Sequence, residues 1–204
     1  MLRSLIELLV PMCCAGCETP GSVLCPRCRR DLTDPFLVRA KGPPWYALAP
    51  YDGAARRAVL AYKERGRREL APVFGELLAA ALPRLPPADY LVPVPSRPSA
   101  ARRRGGQHML LIANHTGHPV LPALHLDRKA KDSVGLDPTQ RAANLAGRLI
   151  PTHPIPPNRK VILLDDIITT GATTTACTTT LTNTGTTVTA TLALTAARAA
   201  MPWS

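Results

Sequence analysis

The apolar positions of the chain fall into runs, alternations and helical spacings that change with position. The run Val161-Ile162-Leu163-Leu164 is unbroken and half β-branched, which predicts a strand buried on both faces, as in a parallel sheet. Tyr90-Leu91-Val92-Pro93-Val94-Pro95 reads as a second strand that ends at Pro95, and 124–128 as a short third. Over 186–194, Val188, Ala190, Leu192 and Leu194 alternate with threonine, which predicts a strand with one buried and one polar face. Helices are expected over 54–62, 69–82, 107–115, 138–149 and 172–183. The segment 33–50 carries Pro35, Gly42, Pro43 and Pro44 and reads as a hinge, and 151–157 as a surface connection. The expected fold is α/β, an open and mostly parallel sheet flanked by helices.

Asp165 and Asp166 stop the apolar run, and Ile167-Ile168-Thr169-Thr170-Gly171-Ala172-Thr173 follows. In an open α/β sheet, ligands bind just beyond the carboxyl ends of the strands. A turn of small hydroxyl residues at a helix N-terminus presents N–H groups to a phosphate. Carboxylates cannot face a bare phosphate, so the two acids should face hydroxyls or a metal, with the phosphate farther along. A sugar phosphate with a free vicinal diol fits that order. A solvated strand-end turn is the plain alternative, but it does not require this combination of residues. Neither G-x-G-x-x-G nor G-x-x-x-x-G-K-[ST] competes for the role.

The stretch resembles the phosphoribosyl pyrophosphate (PRPP) motif of type I phosphoribosyltransferases. The resemblance implies that Asp165 and Asp166 are the catalytic acids and hold the ribose hydroxyls. It implies that Thr169, Thr170, Gly171, Ala172 and Thr173 wrap the 5′-phosphate. Hypoxanthine-type salvage enzymes carry an aspartate base where this chain has Thr169, which sets the chain apart from them.

At 204 residues the chain is one ordinary domain with an appendage, and its formal net charge of +11 points to an anionic partner. An aromatic content of 4% argues against a stacking platform for single strands. Residues 1–11 are apolar but contain Glu7 and end in Pro11. That is too short for a membrane span and unlike a secretory signal, so a short docked helix and a cytoplasmic location are expected. Five of the six cysteines lie between positions 13 and 28. Cys14-x2-Cys17 and Cys25-x2-Cys28 form two knuckles that together make a tetrahedral four-sulfur site for structural Zn²⁺, with Cys13 as a looser substitute for Cys14. Disulfides would suit a secreted chain, and redox chemistry would need only one pair. Cys177 reads as a small core residue.

Residues 56–68 hold six bases and one acid, read either as a solvated face or as an anion site. Ser96 and Arg97, then Arg102-Arg103-Arg104-Gly105-Gly106, follow the second strand, where cations and close backbone suit a diphosphate. A disordered basic loop is the other reading. The five histidines show no metal-ligand spacing. Threonine fills 15 of the 27 positions 169–195, seven of them in the expected helix 172–183. At roughly 0.5 kcal/mol each against alanine, packing must hold that helix.

Nearly end to end, the chain resembles the ComF family of competence-associated phosphoribosyltransferase-like proteins. The resemblance rests on the opening helix, the paired cysteines, Tyr51-Asp52-Gly53 with Tyr62-Lys63, and Val92-Pro93-Val94-Pro95. It continues through Arg104-Gly105, Leu136 with Arg141 and Asn144, and the stretch from Leu164 to Thr173. It implies a helix and a four-cysteine zinc finger over 1–42 and a type I phosphoribosyltransferase-like domain over 43–204. The implied chemistry is Mg²⁺-dependent transfer or hydrolysis at C1′ of PRPP, with Lys63, Ser96, Arg97, Arg102 and Arg104 on the pyrophosphate side. The alternative it implies is a nucleic-acid-binding accessory of DNA uptake or DNA processing that binds single-stranded DNA and partner proteins, with PRPP as a regulatory ligand. The family pattern of Phe-Asn-Gln after Arg104-Gly105 is here Gly106, Gln107 and His108, and Ser133 stands where glutamine is usual, so the acceptor side departs most.

Overall fold

The computed structural model describes residues 12–96, 106–127, 148–152, 155–156 and 158–201. In chain order the described strands are β1 (Phe36–Arg39), β2 (Trp45–Pro50), β3 (Tyr90–Pro93), β4 (Leu124–Leu126), β5 (Leu149–Pro151), β6 (Lys160–Ile168) and β7 (Thr187–Ala196). The described α-helices are α1 (Pro26–Arg30), α2 (Gly53–Glu64), α3 (Leu70–Ala81), α4 (His108–Ala113) and α5 (Ala172–Asn183). The main sheet runs β1-β2-β7-β6-β3, parallel throughout except for β1 at one edge, and β4 and β5 pair as a separate two-stranded antiparallel sheet. This is the expected α/β architecture, a mostly parallel sheet flanked by helices.

β6 is the strand around which both layers assemble. Val161, Ile162, Leu163 and Leu164 are each 2% exposed or less, as the unbroken apolar run requires. Ile162 and Leu164 join the core built with Val59 of α2, Phe74 and Leu78 of α3 and Ile112 of α4. Val161 and Leu163 join the opposite core, with Cys177 and Leu181 of α5 and Leu124 and Leu126 of β4. Cys177 is fully buried there, as a small core residue would be.

Several expectations need correction. The carboxylates do not end β6: Asp165 pairs with Ala193 and the ladder continues to Ile168 opposite Ala196. Side-chain charge does not interrupt a backbone ladder whose neighbour strand runs on. The segment 33–50 is no hinge, because β1 and β2 fall within it. Its prolines sit before or at the ends of the strands, where no ladder donor is lost. Pro44 even serves the sheet, its carbonyl accepting the Thr191 N–H at 2.9 Å. The threonine face of β7 is polar but becomes covered toward its carboxyl end: Thr187 is exposed and Thr189 half-buried, while Thr191 and Thr195 are fully buried. There Trp45, Ala47 and Ile168 form a third cluster with Ala193 and Ala196 of that strand. Leu149 belongs to β5 rather than to a helix end, and Pro151 pairs with Leu124 instead of lying in a connection. The expected opening helix, Arg97, Arg102 and Arg104, Ser133, and the helix over 138–147 lie outside the described residues.

Candidate functional site

Consecutive residues of a strand point to opposite faces, and this separates the two acids at the carboxyl end of β6. Asp166 turns toward α2, where its Oδ2 lies 2.8 Å from Lys63 Nζ, with the two side chains only 16% and 20% exposed. Its backbone carbonyl accepts the Thr195 hydroxyl at 3.2 Å. Asp165 turns toward α5, where its charge bears on the buried Cys177 thiol. Asp165 is 8% exposed and its Oδ1 accepts the Asp166 N–H at 2.8 Å. Burial, and after it the charge of Asp166, pushes the Asp165 carboxyl up to about 7, against the opposing influence of Lys63.

The segment that follows is built to leave its polar groups accessible. Thr169 and Thr170 are exposed, and Thr170 Oγ1 accepts the Ala172 N–H at 3.4 Å. Gly171 caps α5 at a φ of 73°, a conformation that costs a side-chain-bearing residue energy. A Cβ at Gly171 would also overlap Cη2 and Cζ3 of Trp45. Glycine is therefore required twice at this position, once by backbone and once by contact. The other side of that contact is a stack: the Arg39 guanidinium lies 3.4 Å from the Trp45 ring centroid. Arg39 Nε is buried without a hydrogen-bond partner among the described residues. Sequence reasoning missed both Arg39 and Trp45, because proline flanks made their segment read as a hinge. A lone tryptophan directly after Pro43-Pro44 was the available signal.

Lys63 stands in the last turn of α2, and its neighbour fixes it there. The Tyr62 hydroxyl donates to the His108 carbonyl at 3.0 Å, and its ring meets Phe74 edge-on. Burial pushes the Tyr62 phenol up to about 12. Past the end of β3, the Ser96 N–H donates to Gln107 Oε1 at 2.7 Å, tying the departing segment to the start of α4. A cleft of about 240 Å³ opens beside this tie, lined by Pro95, Gln107, Leu110, Leu124 and His125 among others. Of the expected residues, Lys63, Asp165, Asp166 and the 169–173 turn thus gather at one end of the sheet. Ser96 lies at the end of the neighbouring strand.

The sulfur atoms of Cys14, Cys17, Cys25 and Cys28 lie within 4.8 Å of one another. Cys14, not Cys13, completes the set; Cys13 instead bridges to Pro20. Cys14 Sγ accepts the N–H groups of Cys25 at 3.3 Å and Gly16 at 3.4 Å. Burial raises the Cys14 thiol, but backbone N–H groups more than compensate and hold it below the ordinary range. The Thr19 hydroxyl brings exposed Cys17 down to about 6, while burial pushes Cys28 up. A compact all-sulfur set with backbone donors on a sulfur fits a structural metal such as Zn²⁺.

No protein-family model matches the sequence, and no curated protein sequence does. Among solved structures, the chain is similar to adenine phosphoribosyltransferase from Leishmania tarentolae. The identity is 12% over 81% of this chain and 96% of that one, with a TM-score of 0.44. For adenine phosphoribosyltransferase from Leishmania donovani the identity is 11%, over 80% and 87%, with a TM-score of 0.43. Among the described residues no helix is long and apolar enough to cross a membrane.

Proposed function

We propose that this chain is a PRPP-binding, phosphoribosyltransferase-like protein of the ComF type. Asp166 takes the ribose hydroxyls, Asp165 positions it from the opposite face through the Asp166 N–H, and the segment from Thr169 to Thr173 holds the 5′-phosphate. Lys63, Ser96, Arg97, Arg102 and Arg104 serve the pyrophosphate. The observation that carries the reading is the carboxyl end of β6. A buried acid is kept there in an unfavourable place, beside a second acid and an accessible hydroxyl turn that a left-handed glycine joins to a helix. Strongly perturbed carboxyls in such places point to ligand chemistry.

The chain's own contribution is positioning and charge. Acceptors on Asp166, held in place through Asp165, orient the ribose, and the cations stabilise the departing pyrophosphate as positive charge develops at C1′. Mg²⁺ prefers oxygen ligands and would come largely with the diphosphate, neutralising it. Zn²⁺ on Cys14, Cys17, Cys25 and Cys28 would be structural, since four thiolates leave no open position for substrate. Transfer or hydrolysis at C1′ is the reaction proposed, in the cytoplasm.

Calorimetry with PRPP and Mg²⁺ tests the reading. Wild type should bind, and Asp165→Asn/Asp166→Asn should not, while still unfolding in one cooperative transition. Unchanged affinity in a well-folded double variant overturns the assignment. The net charge of +11 favours a second reading, an accessory that binds single-stranded DNA in DNA uptake with PRPP as regulator. Affinity for single-stranded DNA that falls steeply with salt, without pyrophosphate release from PRPP, would select it.

A further inference from the structure

We propose that Lys63 is a counter-ion shared between two anions, the carboxylate of Asp166 and the diphosphate of an incoming ribosyl diphosphate. Its transfer from the first to the second is what frees Asp166 for a ribose hydroxyl. The proposal rests on the PRPP reading given above and adds a coupling between the two halves of that site.

The starting point is the contact itself. Lys63 Nζ sits 2.8 Å from Asp166 Oδ2, and both side chains are four-fifths or more covered. Solvent and salt screen such a pair less than a surface pair. A ribose hydroxyl offers the carboxylate only a neutral donor, weaker than the ammonium already there. A sugar alone therefore displaces Lys63 at a loss. A diphosphate brings several negative charges, and it can compensate the ammonium for leaving.

The surroundings decide which atoms move. Tyr62 is locked by its hydrogen bond to the His108 carbonyl and by Phe74, so the backbone of the last turn of α2 stays in place. Asp166 is held through its own backbone, which pairs with Thr195 on one side and with the Asp165 carboxylate on the other. What remains free to swing is the four-carbon stem of Lys63, with a compact charge at its end. The expected consequence is selectivity by charge. Ligands that carry the diphosphate draw the lysine away, and ligands that lack it must break the ion pair unaided.

The test compares PRPP with ribose 5-phosphate, which keeps the ribose and the 5′-phosphate but lacks the diphosphate. In Lys63→Met, affinity for PRPP should fall at least ten-fold, while affinity for ribose 5-phosphate should hold or rise. Lys63→Arg should restore the preference for PRPP. Equal weakening toward both ligands, or no change toward either, overturns the proposal and leaves the PRPP reading standing. Failure of the wild type to bind PRPP at all overturns that reading instead. A second arm covers the case of a Lys63→Met variant that does not fold. Asp166→Asn releases the lysine and should tighten binding of inorganic diphosphate, and Lys63→Gln/Asp166→Asn should abolish the gain. A gain that survives in the double variant overturns the shared-counter-ion assignment.

Discussion

Asp165 occupies a place where an ionised carboxylate is poorly tolerated. It is buried and adjoins a second acid, and its carboxyl titrates near 7 instead of near the ordinary 3.8. The consequence for stability has a definite sign. Between about 4 and about 7 the folded chain keeps a proton that the unfolded chain has lost, so stability falls as pH rises through that window. Asp165→Asn keeps an oxygen for the Asp166 N–H but carries no charge. Wild type and variant should unfold at the same urea concentration near pH 4, and the variant should be the more stable above pH 7. A constant difference across pH 4 to 8 would contradict the burial argument. At Gly171 the constraint is steric rather than electrostatic. Gly171→Ala should lose about 2 kcal/mol or more, from the positive φ and the Trp45 contact together. Trp45→Ala should relieve only the second of these. Denaturation of both single variants and the pair measures the coupling.

Among the elements, helix α5 shows what local sequence can and cannot reveal. Its span, Ala172–Asn183, is the one expected from the glycine before it and the turn after it. Propensity alone disfavours it, with seven threonines in twelve residues. Among the described residues, the buried hydroxyls of Thr174 and Thr178, and of Thr191 on β7, find no partner. Sheet packing through Ala176, Cys177 and Leu181 therefore carries the helix. Thr175, Thr179 and Thr182 are exposed, so replacing all three with alanine should stabilise the protein by about 1.5 kcal/mol, read from the urea midpoint. An unchanged midpoint would contradict the propensity argument. The same contrast explains which elements were legible. β6, α2, α3 and α5 carry their own rhythm or punctuation, and their ends fall within a few residues of expectation. β1, β2 and β5 are short, proline-flanked and without alternation, and only their partners make them strands. At the site, the acids and the hydroxyl turn announce themselves as a contiguous motif. The Arg39–Trp45 stack does not, because it forms across the β1–β2 pair, whose strands carry no rhythm of their own. The Lys63–Asp166 pair does not, because it joins α2 to β6 across a long stretch of sequence.

In the whole molecule, the cysteine module is seated in the body rather than tethered to it. Cys14, Leu24, Cys28 and Leu32 belong to the same buried cluster as Val59, Leu70 and Phe74. A Cβ on Gly16 would lie 2.8 Å from Cys28 Sγ and 3.1 Å from the Ala54 methyl, so the first knuckle rests directly on α2. Arg57 Nε donates to the Gly16 carbonyl at 2.5 Å, and Arg67 Nη1 to the Cys13 carbonyl at 2.8 Å. Ion pairs join Arg29 to Glu76 of α3 and Arg84 to Asp34. Two of the six bases in 56–68 are thus used to hold the module and a third, Lys63, to hold Asp166. Arg56, Arg57, Arg65 and Arg68 are exposed, so the run is a solvated face three of whose bases also make specific contacts.

This seating changes what metal removal should do. Between Cys17 and Cys25 only Val23 and Leu24 are strongly apolar, too little to fold the loop alone, so metal binding should add to the folding free energy that packing on the body supplies. In zinc-finger peptides the metal contributes on the order of 10 kcal/mol. Part of any loss should reach α2 through Gly16 and Arg57, and Lys63 stands at the far end of that helix. Cys28→Ser should therefore lower bound zinc below one per chain and lower the single melting transition of the whole chain. A loss of about 4 kcal/mol would lower Tm by roughly 10 °C in a chain of this length. PRPP affinity should fall with it, although Cys28 touches no residue of the β6 site. Two transitions, with the larger one unmoved and PRPP binding intact, would show instead that the module is an independent appendage. Zinc-free protein purified under reducing conditions, with all four thiols free and the N-terminal segment protease-resistant, would remove the metal from the account altogether.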